Sequence, residues 1–191
     1  MAATASTRTE QPPPRGEGRG RVLAAAFDEA EKQPALNESR DQALDLVARG
    51  APPHEVAAAA ETDVGLTCAI VRAAGQLQGG GRIRSVPDAV ERLGPGAVEA
   101  ILRSAPAYDM FSGDTGLALR PDRFRMHALA VQRTADRIAE IVGYSDRDEL
   151  ALAAVLHDIG RPVLARLHPS YPERFDRHGG TPDHRIDAER R

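Results

Sequence analysis

The chain has 191 residues, of which 41% are hydrophobic, enough to bury one sizeable core or two smaller lobes. Its 25 basic and 28 acidic residues give a formal charge of -3, so there is no global electrostatic case for nucleic acid or a membrane surface as partner. Cys68 is the single cysteine, which excludes an intramolecular disulfide and a cysteine-rich zinc site and suits a reducing cytoplasm.

No apolar run approaches the roughly 20 residues that cross a bilayer, and the N-terminus lacks the apolar core of a signal peptide. Residues 1–18, with Gln11-Pro12-Pro13-Pro14-Arg15-Gly16-Glu17-Gly18, hold few apolar groups and many helix breakers, and are expected to be a disordered tail.

From Arg21 the spacing becomes helical, with Leu23, Phe27 and Ala30 on one stripe until Pro34. Asn37 is the expected cap of a second helix carrying Leu44 and Val47 and closed at Gly50. A short helix follows Pro52-Pro53. Asp63 is the expected cap of the next, with Leu66, Ile70 and Ala73 on one face and Gly75 at its end. Gly79-Gly80-Gly81 reads as a connection. Ser85-Val86-Pro87-Asp88 reads as a capping box, with Val86, Val90 and Leu93 as the apolar stripe before Gly94; a last helix of this lobe carries Val98, Ile101 and Leu102.

Pro106 and the turn-rich segment from Ser112 to Pro121 mark the expected boundary between an N-terminal helical lobe, residues 19–110, and a second one, residues 111–191. In the helix from Phe124 to Val142, the residues His127, Val131, Thr134, Ile138 and Ile141 recur at helical spacing, which predicts that His127 lies on the inward face. The next helix, capped by Ser145 or Asp146, is apolar nearly all round through Leu156 and meets Gly160 just after His157-Asp158. No segment alternates with period two, so the predicted fold class is all-α, a two-lobed helical bundle.

His127, His157 and Asp158 offer two imidazoles and a carboxylate, a donor set suited to a divalent metal such as manganese, iron or magnesium; no other cofactor is expected. A fourth ligand is not obvious. Asp176, Asp183 and Asp187 are the available carboxylates, but they lie in polar sequence around Gly179-Gly180, a poor setting for a rigid ligand.

His127 followed by Leu156-His157-Asp158-Ile159-Gly160-Arg161 resembles the HD superfamily of metal-dependent phosphohydrolases. Glu61-Thr62-Asp63-Val64-Gly65-Leu66-Thr67 and Ser85-Val86-Pro87-Asp88-Ala89-Val90-Glu91-Arg92-Leu93-Gly94 narrow the resemblance to its HDOD branch, from about Pro34 to the end of the chain. The resemblance implies an all-helical module of bacterial signal transduction, often attached to other signalling domains and often short of a complete catalytic set. It also implies further helices after residue 191, so the second lobe is expected to be incomplete at its C-terminus. Arg161-Pro162 departs from the usual Lys and apolar residue, and Gly75-Gln76 stands where Asn-Ser is common. Exchanging Lys for Arg keeps the charge but turns a point charge into a planar fork.

The expected role is regulatory and cytoplasmic, through attached domains, protein partners or a small ligand such as a nucleotide, with His127, His157 and Asp158 as a degenerate metal site. In that reading His157 and Asp158 cap a buried helix and bond to its neighbours as structural remnants. The competing reading is a phosphohydrolase acting on a nucleotide or cyclic dinucleotide, which an Asp or Glu within ligand reach of the pair would favour; an Arg in the metal position would favour the scaffold. A third is a dimerisation module with an exposed apolar patch.

Arg161, Arg133 and Arg137 are candidate anion ligands, the last two within a cluster that includes Arg120, Arg123 and Arg125. The interleaved Asp122, Asp136 and Glu140 instead predict a solvated, salt-bridged face. His54, His168, His178 and His184 lack a helical i, i+4 partner, and Cys68 sits in an apolar run as a small core residue. With four Phe, three Tyr and no Trp, stacking on nucleic acid is not expected.

Overall fold

The computed structural model describes residues 33–77, 81–108 and 121–167, together with Ala25 and Ala30. The expected tail, most of the helix from Arg21, and the segment holding Asp176, Asp183 and Asp187 fall outside these residues. Among the described residues the architecture is helical: α1 (Asn37–Ala48), α2 (Pro53–Ala60), α3 (Val64–Gly75), α4 (Val86–Ser104), α5 (Pro121–Val142), α6 (Arg147–Leu156) and α7 (Gly160–Leu167). One pairing is not helical. β1 (Ala35–Leu36) and β2 (Ala107–Tyr108) form a two-residue parallel bridge, too short to leave a period-two pattern, which ties the chain ahead of α1 to the exit from α4. No helix among the described residues is long and apolar enough to cross a membrane.

Local signals place most of the boundaries. Pro53 opens α2, where its missing N–H is no loss. Ser85 caps α4 by accepting the Asp88 N–H at 3.2 Å. Gly94, at φ 71°, divides α4 into two helical segments, with Pro95 starting the second. The predicted cap at Asn37 is displaced. Asn37 is the first residue of α1, after Leu36 in the cap position, and no side-chain cap bond forms at this end; separately, the Leu36 N–H is taken by Asp63, 27 residues away.

The main core joins α1 to α4. Ala43, Ala57, Ala60, Leu66, Ile70, Val86, Ala89, Val98 and Leu102 are essentially closed to solvent, and the many alanines let the helix axes approach closely. On α3 the buried row is Leu66, Ile70 and Ala74, with Ala73 only half-buried beside it. A second, smaller cluster of Val64, Ala128 and Val155 joins the start of α3 to α5 and α6, with Phe124, Leu156 and Ile159 packed around it. The two groups of helices meet there, since α3 packs against both α4 and α6.

The expected inward stripe of α5 is rotated. Ala128 and Ala139 are buried with Phe124, Val131 and Ala135 half-buried along the same side, whereas Ile138 and Ile141 are 54% and 70% exposed. Close packing of α5 on α6 selects the small side chains rather than the larger ones, so hydrophobicity alone points to the wrong stripe. His127 consequently stands on the open side of the helix.

Asp63 closes the joint between these parts. Its Oδ1 accepts the Leu66 N–H at 3.1 Å, capping α3, and its Oδ2 accepts the Leu36 N–H at 2.9 Å, although the residue is only 2% exposed. Burial pushes its carboxyl above the ordinary range, while the N–H groups of Leu36 and Leu66 and the charge of Arg125 pull the other way. Arg125 on α5 donates its Nε–H to the Thr62 carbonyl at 2.7 Å, so the same turn also anchors the second group of helices. Gly65 is required beside it, because a Cβ there would come within 2.8 Å of the Gln33 carbonyl oxygen.

Glu61, at the end of α2, is also pushed above the ordinary glutamate range, first by burial and then by the neighbouring charge of Asp148. A raised folded value means that the folded protein holds the proton more tightly than the unfolded chain. That contribution to stability is complete below the ordinary glutamate range and is lost as pH rises through the folded value. Two predictions follow from this joint. Asp63→Ala, which leaves two N–H groups without acceptors, should cost about 2–4 kcal/mol by urea denaturation, and a loss below about 1 kcal/mol would mean that the clamp is unimportant. Glu61→Gln should raise the melting temperature at neutral pH by roughly 1–3 °C, an advantage that disappears in acid.

Candidate metal centre

The three predicted donors come together at the end of the α5–α6 pair. His127 projects from the second turn of α5; His157 is the residue that closes α6; Asp158 begins the short turn into α7. The turn is held by the Ile159 N–H on the Leu156 carbonyl at 3.1 Å and the Arg161 N–H on the Asp158 carbonyl at 2.9 Å. Below it, Val155, Leu156 and Ile159 pack on Phe124 and Ala128. The apolar cluster thus fixes the two helices that carry the imidazoles.

The donor atoms converge. His127 Nε2 lies 3.3 Å from His157 Nε2, and Asp158 Oδ2 lies 3.5 Å and 3.6 Å from those two nitrogens. Donors held about 2.1 Å from an ion stand about 3.4 Å apart in tetrahedral and about 3.0 Å apart in octahedral coordination, so the three edges match the first and are a few tenths of an ångström wide for the second. Among the described residues these three form the cluster of metal-donor side chains. Their side chains are 50%, 33% and 27% exposed for His127, His157 and Asp158, which leaves one side of the cluster open.

Second contacts orient the imidazole of His157. Its Nδ1 is 2.8 Å from the Ala154 carbonyl oxygen, which can only accept, so the neutral ring carries its proton on Nδ1 and turns the Nε2 lone pair toward the cluster. Two bare nitrogens 3.3 Å apart would repel, so a proton or a cation must lie between His127 and His157. With a proton there, His127 Nε2–H donates to His157 or Asp158. With a divalent ion, both rings present lone pairs and the residues fit as two neutral imidazoles and one carboxylate, a set that favours manganese or iron over magnesium.

Arg161 changes the charge of the site. Its Nη1 is 3.4 Å from Asp158 Oδ2, the same oxygen that faces both imidazoles, while its Nε is buried without a hydrogen-bond acceptor. Arg133 and Arg137 do not join it. They stand about 9 Å and 15 Å further along the α5 axis than His127, Arg133 is exposed, and Arg137 is paired with Glu140 at 2.6 Å. Arg125, grouped by sequence with a surface cluster, instead holds the α2–α3 turn. A polar recess where the two groups of helices meet is lined by Arg84, Asp146 and Glu149, with Arg84 ion-paired to both carboxylates. It lies about 12 Å along α6 from His157, so it is separate from the donor cluster. Sequence reasoning did not single out the Ala154 carbonyl or the Asp63–Arg125 joint. Spacing could have suggested the first, three residues before His157.

The tautomer is directly checkable. Nitrogen-15 chemical shifts of neutral His157, measured at mildly alkaline pH without metal, should show a protonated Nδ1 and a bare Nε2. A protonated Nε2 would contradict the inferred orientation.

No curated protein and no solved structure matches the chain. The family model for the HDOD domain matches residues 39–191, a span that includes His127, His157 and Asp158 as well as the Asp63 turn. Together with the helical fold this shows that the chain belongs to the HDOD family.

Proposed function

We propose that this HDOD chain is a regulatory module, acting through attached signalling domains, protein partners or a small anionic ligand such as a nucleotide, and that its donor cluster does not sustain hydrolysis. The observation that carries this reading is Arg161 on Asp158 Oδ2. Asp158 is the single carboxylate of the cluster, so two neutral imidazoles and one anion offset only half the charge of a divalent ion, and the guanidinium adds charge of the wrong sign. Weak metal retention is the consequence. A divalent ion bound there would supply activated water for attack on phosphorus, the chemistry of the competing phosphohydrolase reading. That reading is favoured by the matched donor spacing and by the tautomer of His157, because three protein ligands with an open position suffice for some metals.

The test is direct. With manganese, iron or magnesium supplied, the protein should cleave bis(p-nitrophenyl) phosphate and cyclic dinucleotides no faster than His157→Ala at equal folded concentration. Turnover that vanishes in His157→Ala at an unchanged melting temperature would establish the phosphohydrolase instead.

A further inference from the structure

Building on the reading of a metal-type site without turnover, the geometry points to Arg161 as an internal competitor for the metal position that a phosphate-class anion releases. Metal and phosphate then bind cooperatively. One oxygen is shared: Asp158 Oδ2 faces His127 Nε2 at 3.5 Å, His157 Nε2 at 3.6 Å and Arg161 Nη1 at 3.4 Å. An ion held about 2.1 Å from that oxygen would stand within about 5.5 Å of Nη1, close enough for two cations to repel appreciably.

Arg161 is poorly satisfied where it lies. Its contact with Asp158 is long for a charge-assisted hydrogen bond, and its buried Nε has no acceptor. It is placed on the first turn of α7, three residues after Asp158, with its side chain 41% exposed, so the guanidinium can turn outward without disturbing the helix. A tetrahedral oxyanion beside the ion offers one oxygen to the metal and two to the planar fork, contacts that a Lys would make only as a point charge.

Charge favours the same conclusion. A divalent ion, Asp158 and Arg161 sum to a net charge of about +2, which a phosphate dianion cancels. Arg161 therefore opposes metal alone and supports metal with phosphate, a coupling between two ligands through one side chain that has two positions.

Manganese affinity, followed by electron paramagnetic resonance with and without millimolar inorganic phosphate, tests this in the intact chain. In the absence of phosphate Arg161→Ala should bind manganese at least about tenfold more tightly than the parent protein. Phosphate should tighten manganese binding to the parent about five- to tenfold and to Arg161→Ala less than about twofold. Arg161→Gln, which keeps a polar side chain but removes the charge, should behave like the alanine variant, and circular dichroism confirms that each is folded. A nucleoside monophosphate in place of phosphate identifies the source of the anion by the larger coupling. The inference is overturned if neither variant gains manganese affinity, if phosphate coupling survives in both, or if no protein binds manganese. Failure of the regulatory reading shows separately, as turnover of bis(p-nitrophenyl) phosphate by the parent protein.

Discussion

The buried carboxylate of Asp63 is the constraint on which the rest of the structure depends. One oxygen caps α3 through Leu66 and the other takes the Leu36 N–H, so a single side chain sets the start of one helix and the bridge ahead of another. Arg125, in contact with Thr62 next door, brings α5 to the same turn. His127 follows Arg125 by two residues. The register of α5 against the first group of helices, and with it the place of the first imidazole, is thus decided at a joint remote in sequence from His157 and Asp158.

What this framework presents is a cluster shaped for an ion but short of negative charge. The His157 ring is pre-oriented by the Ala154 carbonyl, and the donor spacing requires no rearrangement of the backbone. Coordination geometry and electrostatics pull in opposite directions here: three donors converge, yet the single carboxylate among them is shared with a guanidinium. In the proposed reading, such a site would respond to the local supply of anions more readily than one closed by several carboxylates.

Much of this was legible in the sequence. Asp63, Ser85 and Gly94 announce their roles because caps and left-handed turns depend on local chemistry that only a few residue types supply. His127, His157 and Asp158 could be grouped because the HD motif is specific in residue type and order. The Asn37 cap is absent because the helix begins one residue earlier than the cap reading required, with Asn37 already helical, and the α5 stripe was rotated because alanines outcompete larger residues where helices press closely. Neither a one-residue shift of a helix start nor a preference for small volume leaves a periodic trace. Arg161 was visible as a candidate ligand for anions, but its position on the inward oxygen of Asp158 follows from the turn between α6 and α7.

An anomalous difference map from crystals soaked in manganese and phosphate tests the account most directly. It should place one ion about 2.1 Å from His127 Nε2, His157 Nε2 and Asp158 Oδ2, with Arg161 turned from Asp158 onto the anion. An ion at that position with Arg161 still on Asp158, or an ion bound elsewhere with the cluster empty, would contradict it.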